Sequence, residues 1–202
     1  AGLEPGLDFS SFYDPANFTY PYGCHIAVVE VDKETGKVSL KRFIAVDDVG
    51  NVINPMIVDG QIHGGVAQGT AQALLEEFRY DEDGNPITTN FAEYTFISAV
   101  ELPSIEVVHM ETPTFVNPLG VKGIGEVGIV GVAAAVANAI FNATGKRVRS
   151  LPITPGLPGA RRTRSPFFCT TTAAMPVCDN NCNDGIAIRR TGRSPSICRC
   201  CA

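Results

Sequence analysis

Two stretches dominated by apolar and β-branched residues, 25–31 and 38–46, flank the short polar segment 32–36. Residues of this kind favour strands, whereas the aspartate and glycine between them favour a turn. The pattern predicts a β-hairpin. Residues 1–23 are rich in proline, glycine and aromatic residues and show no sustained period, so we expect an extended lead-in there.

A long helix is predicted from Asn54 and Pro55, because asparagine caps free backbone donors and proline fits the first helical position. We expect this helix to run to Glu77. Each glycine inside a helix costs about 1 kcal/mol relative to alanine, so something other than helix propensity must favour those present. They are Gly60, Gly64, Gly65 and Gly69.

A turn at 80–86, a strand at 105–110 and a second helix after Gly125 complete the ordered pattern. The second helix is dense in alanine over 133–143, and Gly145 supplies a left-handed stop. Strands that alternate with helices predict a mixed α/β fold (α+β), with hairpin strands and glycine-rich helices, over residues 24–156.

The composition changes after this domain. Residues 1–160 hold nine Lys and Arg against nineteen Asp and Glu, whereas 161–202 hold seven against two. Six of the seven cysteines also lie in 161–202, at spacings that fit neither paired zinc ligands nor a ferredoxin cluster. Residues 157–202 are therefore predicted to be a tail that is disordered or translated out of frame, without a metal site.

The composition of residues 1–160 also limits the classes of binding partner that we expect. Its acidic charge argues against nucleic acid, and a single cysteine, Cys24, is typical of a cytoplasmic protein. No apolar run is expected to approach the roughly 18–20 residues that cross a bilayer, so we expect no membrane span.

One face of the predicted first helix combines small residues with glutamines: Gln61, Gly65, Gln68 and Gln72. The opposite face is apolar. A face that lacks bulk but keeps amide donors and acceptors suits close approach by a polar ligand such as a pterin. Close helix–helix packing with surface glutamines explains the same pattern equally well.

The glycine-rich segment 117–128 leads into the second helix and contains G-x-G-x-x-G from Gly123 to Gly128. A dinucleotide site needs a buried strand before this motif and an acid about 20 residues after it. Pro118 interrupts the preceding segment, and residues 146–149 are basic instead. The sequence therefore argues against a nicotinamide cofactor.

Glu126 is the one carboxylate in this segment and lies at the predicted start of a helix. The helix N-terminus favours the ionised form, whereas burial in a cofactor pocket opposes it, and the balance suits a reactive base near neutral pH. The alternative interpretation is an ordinary first-turn glutamate that the helix dipole stabilises.

Segments 60–69 and 117–128 together resemble the large subunits of molybdenum hydroxylases, the family of carbon monoxide dehydrogenase, aldehyde oxidase and xanthine dehydrogenase. Shorter matches occur in the same order at 13–19, 52–55, 93–94 and 151–155. Gln61-Ile62-His63 is closer to the carbon monoxide dehydrogenase branch. The resemblance implies that the chain forms part of the molybdopterin-binding domain of the xanthine dehydrogenase family.

The resemblance also implies roles for individual residues. Glu126 would lie beside the molybdenum as the general base, and Gln68 would hydrogen-bond the molybdopterin. No protein metal ligand is implied, because the pterin dithiolene holds the metal, and His63 is expected to be structural. Lys122 is expected to contact the cofactor, to fix the loop or to be solvated. The cofactor-binding residues are expected to be Gln61, Gln68, Gly69, Lys122, Gly123 and Gly125.

The implied cofactor is molybdenum–molybdopterin, alone or as the cytosine dinucleotide, with FAD and [2Fe-2S] on missing domains or partner subunits. The implied reaction oxidises CO, an aldehyde or an N-heterocycle with water-derived oxygen. Large subunits of this family are several times longer, so the chain resembles a fragment that is inactive without the upstream part of the subunit and iron–sulfur and flavin partners. The alternative is a non-catalytic remnant or assembly module that retains the fold.

Overall fold

The computed structural model describes residues 6–32 and 34–155, together with the backbone of a strand at 165–173. A four-stranded mixed sheet has the order β3-β2-β1-β4. Strand β1 is antiparallel to both β2 and β4, whereas β3 is parallel to β2. The strands are β1 Tyr22–Val31, β2 Val38–Asp48, β3 Ser104–Met110 and β4 Ser165–Ala173.

The predicted hairpin is confirmed by the pairing of β1 with β2, in which Val31 lies opposite Val38. Asp32 closes the turn, because its Oδ1 accepts the backbone amides of Glu34 and Thr35, each at 2.8 Å. A Cβ on Gly36 would lie 2.2 Å from the carbonyl oxygen of Pro155. The hairpin turn therefore packs against the end of the predicted domain.

The helices are α1 Pro55–Leu74, α2 Val127–Val130 and α3 Val132–Thr144. The predicted start of α1 is confirmed, since Asn54 Oδ1 accepts the amide of Ile57. The predicted end at Glu77 is wrong. In a longer helix the carbonyl of Ala73 would accept the amide of Glu77, but it accepts the amide of Ile153 at 2.8 Å instead.

The helices and the sheet enclose one hydrophobic core. Helix α3 packs on β1, and α1 packs on α2 and α3. The predicted apolar face of α1 is buried, and full burial of each valine or isoleucine side chain contributes about 1.5–3 kcal/mol. Its members are Val58, Ile62, Val66 and Ala73. The mixed α/β class is confirmed.

Helices α2 and α3 form a nearly continuous apolar stretch. Among the described residues, Val127–Thr144 has the length and composition to cross a membrane, with a mean hydropathy of 1.7. The expectation that no apolar run approaches this length was therefore wrong. Half of the stretch is buried inside the structure, as in the core helix of a folded domain, and Gly131 separates α2 from α3.

The sequence predicted an extended lead-in at the start of the chain and a disordered tail at its end. Residues 6–21 form no helix or strand and are mostly exposed, as an extended lead-in would be. Within the predicted tail, residues 165–173 form β4 rather than a disordered segment, because the open edge of β1 offers unpaired backbone groups. The rest of the tail, 157–164 and 174–202, lies outside the described residues, and its disorder stays a prediction.

Candidate cofactor site

The crossing of α1 and α2 depends on two glycines, Gly65 and Gly128. A Cβ on Gly65 would lie 2.8 Å from the carbonyl carbon of Gly128, and a Cβ on Gly128 would lie 2.9 Å from the Cα of Ile62. Contacts this short with backbone cannot be relieved by rotating a side chain. Glycine at both positions therefore brings α1 beside the start of α2, where Glu126 lies.

The α1 glycines divide into two groups with different surroundings. Gly65 meets Gly128, and a Cβ on Gly69 would lie 2.5 Å from the Cβ of Val132. These two glycines allow close helix packing. No atom lies within 4 Å of the Cβ position on Gly60 or Gly64. The structure thus gives Gly69 a packing role, and its expected contact with the cofactor stays a prediction.

The three glutamines of α1 form an exposed polar surface. Gln61, Gln68 and Gln72 are all exposed, and Gly64 between them leaves open space at the helix surface. Their amides are available to donate and accept hydrogen bonds, as a pterin ring edge requires. The residues present therefore fit a flat, polar, hydrogen-bonding group on this side of α1.

The segment before Glu126 is fixed to the end of β2 through its backbone. Asn51 donates its amide to the carbonyl of Gly120 at 3.1 Å and its side-chain Nδ2 to the carbonyl of Leu119 at 2.7 Å. Gly50 has a φ of +69°, and a Cβ there would lie 2.1 Å from the Gly120 oxygen. Gly50 is therefore required for this close approach.

Lys122 is bound by the sheet. Its Nζ lies 2.9 Å from Asp48 Oδ1, and the two side chains are only 8% and 0% exposed. The same Nζ lies 4.7 Å from the centroid of the Tyr22 ring, a cation–π contact. Of the alternatives left open by the sequence, these contacts match a lysine that fixes the loop, and they leave its ammonium committed to Asp48.

Asp48 carries the negative charge that holds Lys122. Burial of this carboxyl alone would raise its pKa. Hydrogen bonds from Thr112, Lys122 and the backbone amides outweigh that effect and lower the pKa of Asp48 to about 2. The carboxylate is therefore charged throughout the physiological pH range.

Glu126 is exposed and occupies the N-cap position of α2. Its side chain makes no capping hydrogen bond, while its backbone carbonyl accepts the amide of Ile129 at 3.1 Å. Gly123 and Gly125 are also exposed, with open space at both Cβ positions. The carboxylate is therefore free of side-chain capping, but the described residues do not supply the burial that the sequence interpretation invoked.

Sequence reasoning missed two histidine–carboxylate pairs. His25 and Asp47 are fully buried on neighbouring strands, with 3.1 Å between Nε2 and Oδ1. His109 Nε2 on β3 lies 2.7 Å from Asp59 Oδ1 on α1, which ties this helix to the sheet. The alternation of residues along β1 could have predicted the burial of His25, because His25 lies on the same inward face of the strand as Ala27.

His63, expected to be structural, is exposed, and its Nδ1 lies 2.7 Å from the carbonyl oxygen of Asp59 within the same helix. Within the described part of the chain, no group of three or more His, Cys, Asp or Glu side chains is placed to hold a metal ion.

The chain has relatives among known proteins. The protein family described as the molybdopterin cofactor-binding domain matches residues 2–103. The carbon monoxide dehydrogenase large chain of Hydrogenophaga pseudoflava is 43% identical over 143 residues, which are 71% of this chain and 18% of that protein. The nicotine 6-hydroxylase large subunit of Paenarthrobacter nicotinovorans is 42% identical, over 77% of this chain and 19% of that protein.

Solved structures show the same relationship. Quinoline 2-oxidoreductase from Pseudomonas putida 86 superposes with a TM-score of 0.69 at 39% identity, covering 76% of this chain and 20% of the other. Cu,Mo-CO dehydrogenase gives 0.64 at 42% identity, covering 69% and 18%. The chain spans about a fifth of the length of these relatives. It belongs to the molybdopterin cofactor-binding family of molybdenum hydroxylase large subunits.

Proposed function

We propose that the chain supplies the catalytic base and part of the pterin pocket of a molybdenum-dependent hydroxylase. The observation that carries the proposal is the glycine crossing of Gly65 and Gly128. It sets the glutamine surface of α1 beside the helix start that carries Glu126. The two segments are thereby neighbours in space, although more than fifty residues separate them in sequence.

The cofactor is held mainly by amides and backbone in this proposal. Gln68 hydrogen-bonds the pterin edge. Gln61 lies about two turns earlier on the same face of the helix. The backbone of Gly123 and Gly125 lines the approach to Glu126, because neither glycine presents a side chain. When bound, the group supplies the two-electron redox chemistry of molybdenum, which is held by the pterin dithiolene.

Glu126 acts as the general base. Its carboxylate would accept the proton of the water-derived nucleophile as that oxygen bonds to the substrate carbon, and would later release the proton to solvent. The two electrons that the substrate loses would be taken up by the redox chemistry that the bound cofactor supplies. A carboxylate that makes no capping hydrogen bond is free for this transfer. Closure of the pocket by further polypeptide would exclude water and strengthen the interaction between base and nucleophile.

The relatives indicate the substrate class and the partners. Their names include a carbon monoxide dehydrogenase, a nicotine hydroxylase and an aldehyde oxidoreductase. We infer that this chain serves the oxidation of CO, an aldehyde or an N-heterocycle in the cytoplasm. Electrons would pass to [2Fe-2S] and FAD groups on other domains or subunits, and the remaining large-subunit regions would complete the pocket, with the pterin alone or as the cytosine dinucleotide.

An assembly module without catalysis is the second candidate. It is favoured by aromatic side chains that protrude fully from the surface, with Phe12 and Phe115 each 99% exposed. Patches of this kind mark surfaces that other polypeptide covers. The same patches are expected in the catalytic proposal, because this chain spans about a fifth of its relatives.

Metal content separates the two candidates. The chain would be co-expressed with the large-subunit regions that its relatives have and this sequence does not span, together with iron–sulfur and flavin subunits. Molybdenum per chain and dye-linked oxidation of CO, aldehydes and N-heterocycles would then be measured. The proposal predicts bound molybdenum and turnover of one substrate class. Repeated absence of molybdenum, in cells that load the Hydrogenophaga relative, would favour the assembly module.

A further inference from the structure

Lys122 lies four residues before Glu126, and its buried ion pair with Asp48 adds a side-chain anchor to the backbone hydrogen bonds that hold this segment. We propose that Asp48 is a positioning residue, which acts through Lys122 to set the place of the Glu126 carboxylate. The catalytic consequence of this inference rests on the function proposed above for Glu126. The structural consequence does not.

The restraint on the N-terminal side of Glu126 comes from the end of β2. Lys122 donates its backbone amide to the carbonyl of Val49 at 2.8 Å, and its Nζ reaches Asp48 Oδ1 at 2.9 Å. The Tyr22 ring covers the ammonium from β1. A lysine that is 8% exposed cannot turn its charge to water, so the sheet fixes both its backbone and its side chain.

The restraint on the C-terminal side is the glycine crossing. Gly128 is packed against the backbone of Ile62, so the first turn of α2 cannot slide along α1. Glu126 therefore lies between two residues that are held in place by packing, Lys122 and Gly128. Between them Ile124 packs against the core, whereas Gly123 and Gly125 have open space at their Cβ positions.

Glycine has the greatest backbone freedom of any residue. Two glycines close to a base would therefore let its carboxylate move, unless the segment is held at both ends. Loss of the Asp48 charge would remove the side-chain anchor of Lys122 and loosen the N-terminal end, while the backbone hydrogen bond of Lys122 to Val49 and the glycine crossing would remain. The base would then sample many positions, and small displacements from the productive geometry reduce turnover strongly. Substrate binding would change little, because Asp48 and Lys122 are buried away from the exposed site.

The first test is hydrogen exchange of the 202-residue chain, followed by mass spectrometry. Asp48→Asn and the charge-free double variant Asp48→Asn/Lys122→Met should both speed amide exchange in 120–127 by about tenfold, with exchange in α3 unchanged. The control Lys41→Met removes a partly exposed ion pair between Lys41 on β2 and Glu30 on β1 and should change neither segment. Equal acceleration in α3, or no change in 120–127, would overturn the proposal.

The second test uses the co-expressed enzyme. Asp48→Asn should lower kcat about tenfold, with KM and molybdenum content unchanged, because the base is displaced rather than removed. A rise in KM or a loss of molybdenum without a fall in kcat would contradict positioning. If the exchange result holds but Glu126→Gln retains full turnover, the role of Glu126 has failed and the structural restraint by Asp48 stands.

Discussion

The backbone of Gly65 on α1 lies against the backbone of Gly128 on α2, so closely that a Cβ on either glycine would come within 3 Å of a backbone atom. No side chain separates the two helices at this point. The distance between the glutamine surface and Glu126 is thus set by backbone contact. This arrangement makes a direct prediction about stability.

Gly65→Ala should lower the free energy of unfolding by about 1–3 kcal/mol, because the added methyl group forces the two backbones apart. Gly64→Ala is the matched control, one residue away with no atom within 4 Å of its Cβ position. It should raise stability by up to about 1 kcal/mol through helix propensity. Urea unfolding followed by circular dichroism measures both, and equal effects of the two substitutions would contradict the close crossing.

The pair of Asp48 and Lys122 predicts a loss of stability in acid. The pKa of Asp48 is lowered to about 2 in the folded chain from 3.8, so its charge stabilises the fold above pH 4. This contribution, about 2 kcal/mol, should disappear as the pH falls from about 4 through 2. Urea unfolding between pH 5 and pH 2 measures it.

Asp48→Asn should flatten this acid dependence while lowering stability at neutral pH. Asp83→Asn, at an exposed carboxylate in the turn after α1, is the control and should retain the full dependence. An unchanged slope in Asp48→Asn would show that other carboxylates cause the acid loss.

Gln68→Ala should lower molybdenum content in the co-expressed enzyme, since it removes the proposed amide contact with the pterin. Turnover per bound molybdenum should change less than the content. The control Glu77→Ala, at an exposed side chain just after the end of α1, should load normally. Unchanged molybdenum in Gln68→Ala, measured by elemental analysis, would remove Gln68 from the cofactor site.

The elements that sequence predicted well are those with local causes. The hairpin, the Asn54 cap and the Gly145 stop each depend on a few adjacent residues, and Gly145 has the expected left-handed φ of 72°. The end of α1 was mispredicted because a partner 80 residues away, Ile153, takes the carbonyl of Ala73. Local propensity carries no information about such a contact.

The candidate site likewise combines features that local motifs predicted with contacts between distant residues that they did not. Glu126 and Gln68 were proposed from motifs that resemble a known family, and their roles stay predictions. The partner of Lys122 was not predicted, because Asp48 lies 74 positions earlier. The glutamine face left two interpretations open, and the structure supports helix packing for part of it, whereas ligand binding stays a prediction. Gly65 and Gly69 serve helix packing, and Gly60 and Gly64 leave space at the surface. Only the three-dimensional neighbours of each glycine separate these roles.

The role of Glu126 as the base is tested most directly by the turnover of Glu126→Gln in the co-expressed enzyme, with molybdenum content measured on the same sample. The substitution keeps size and polarity but removes the base. We expect kcat to fall about 100-fold or more with molybdenum content unchanged, while the exposed control Glu34→Gln retains full activity. Turnover of Glu126→Gln equal to that of the control would contradict the assignment of Glu126 as the base.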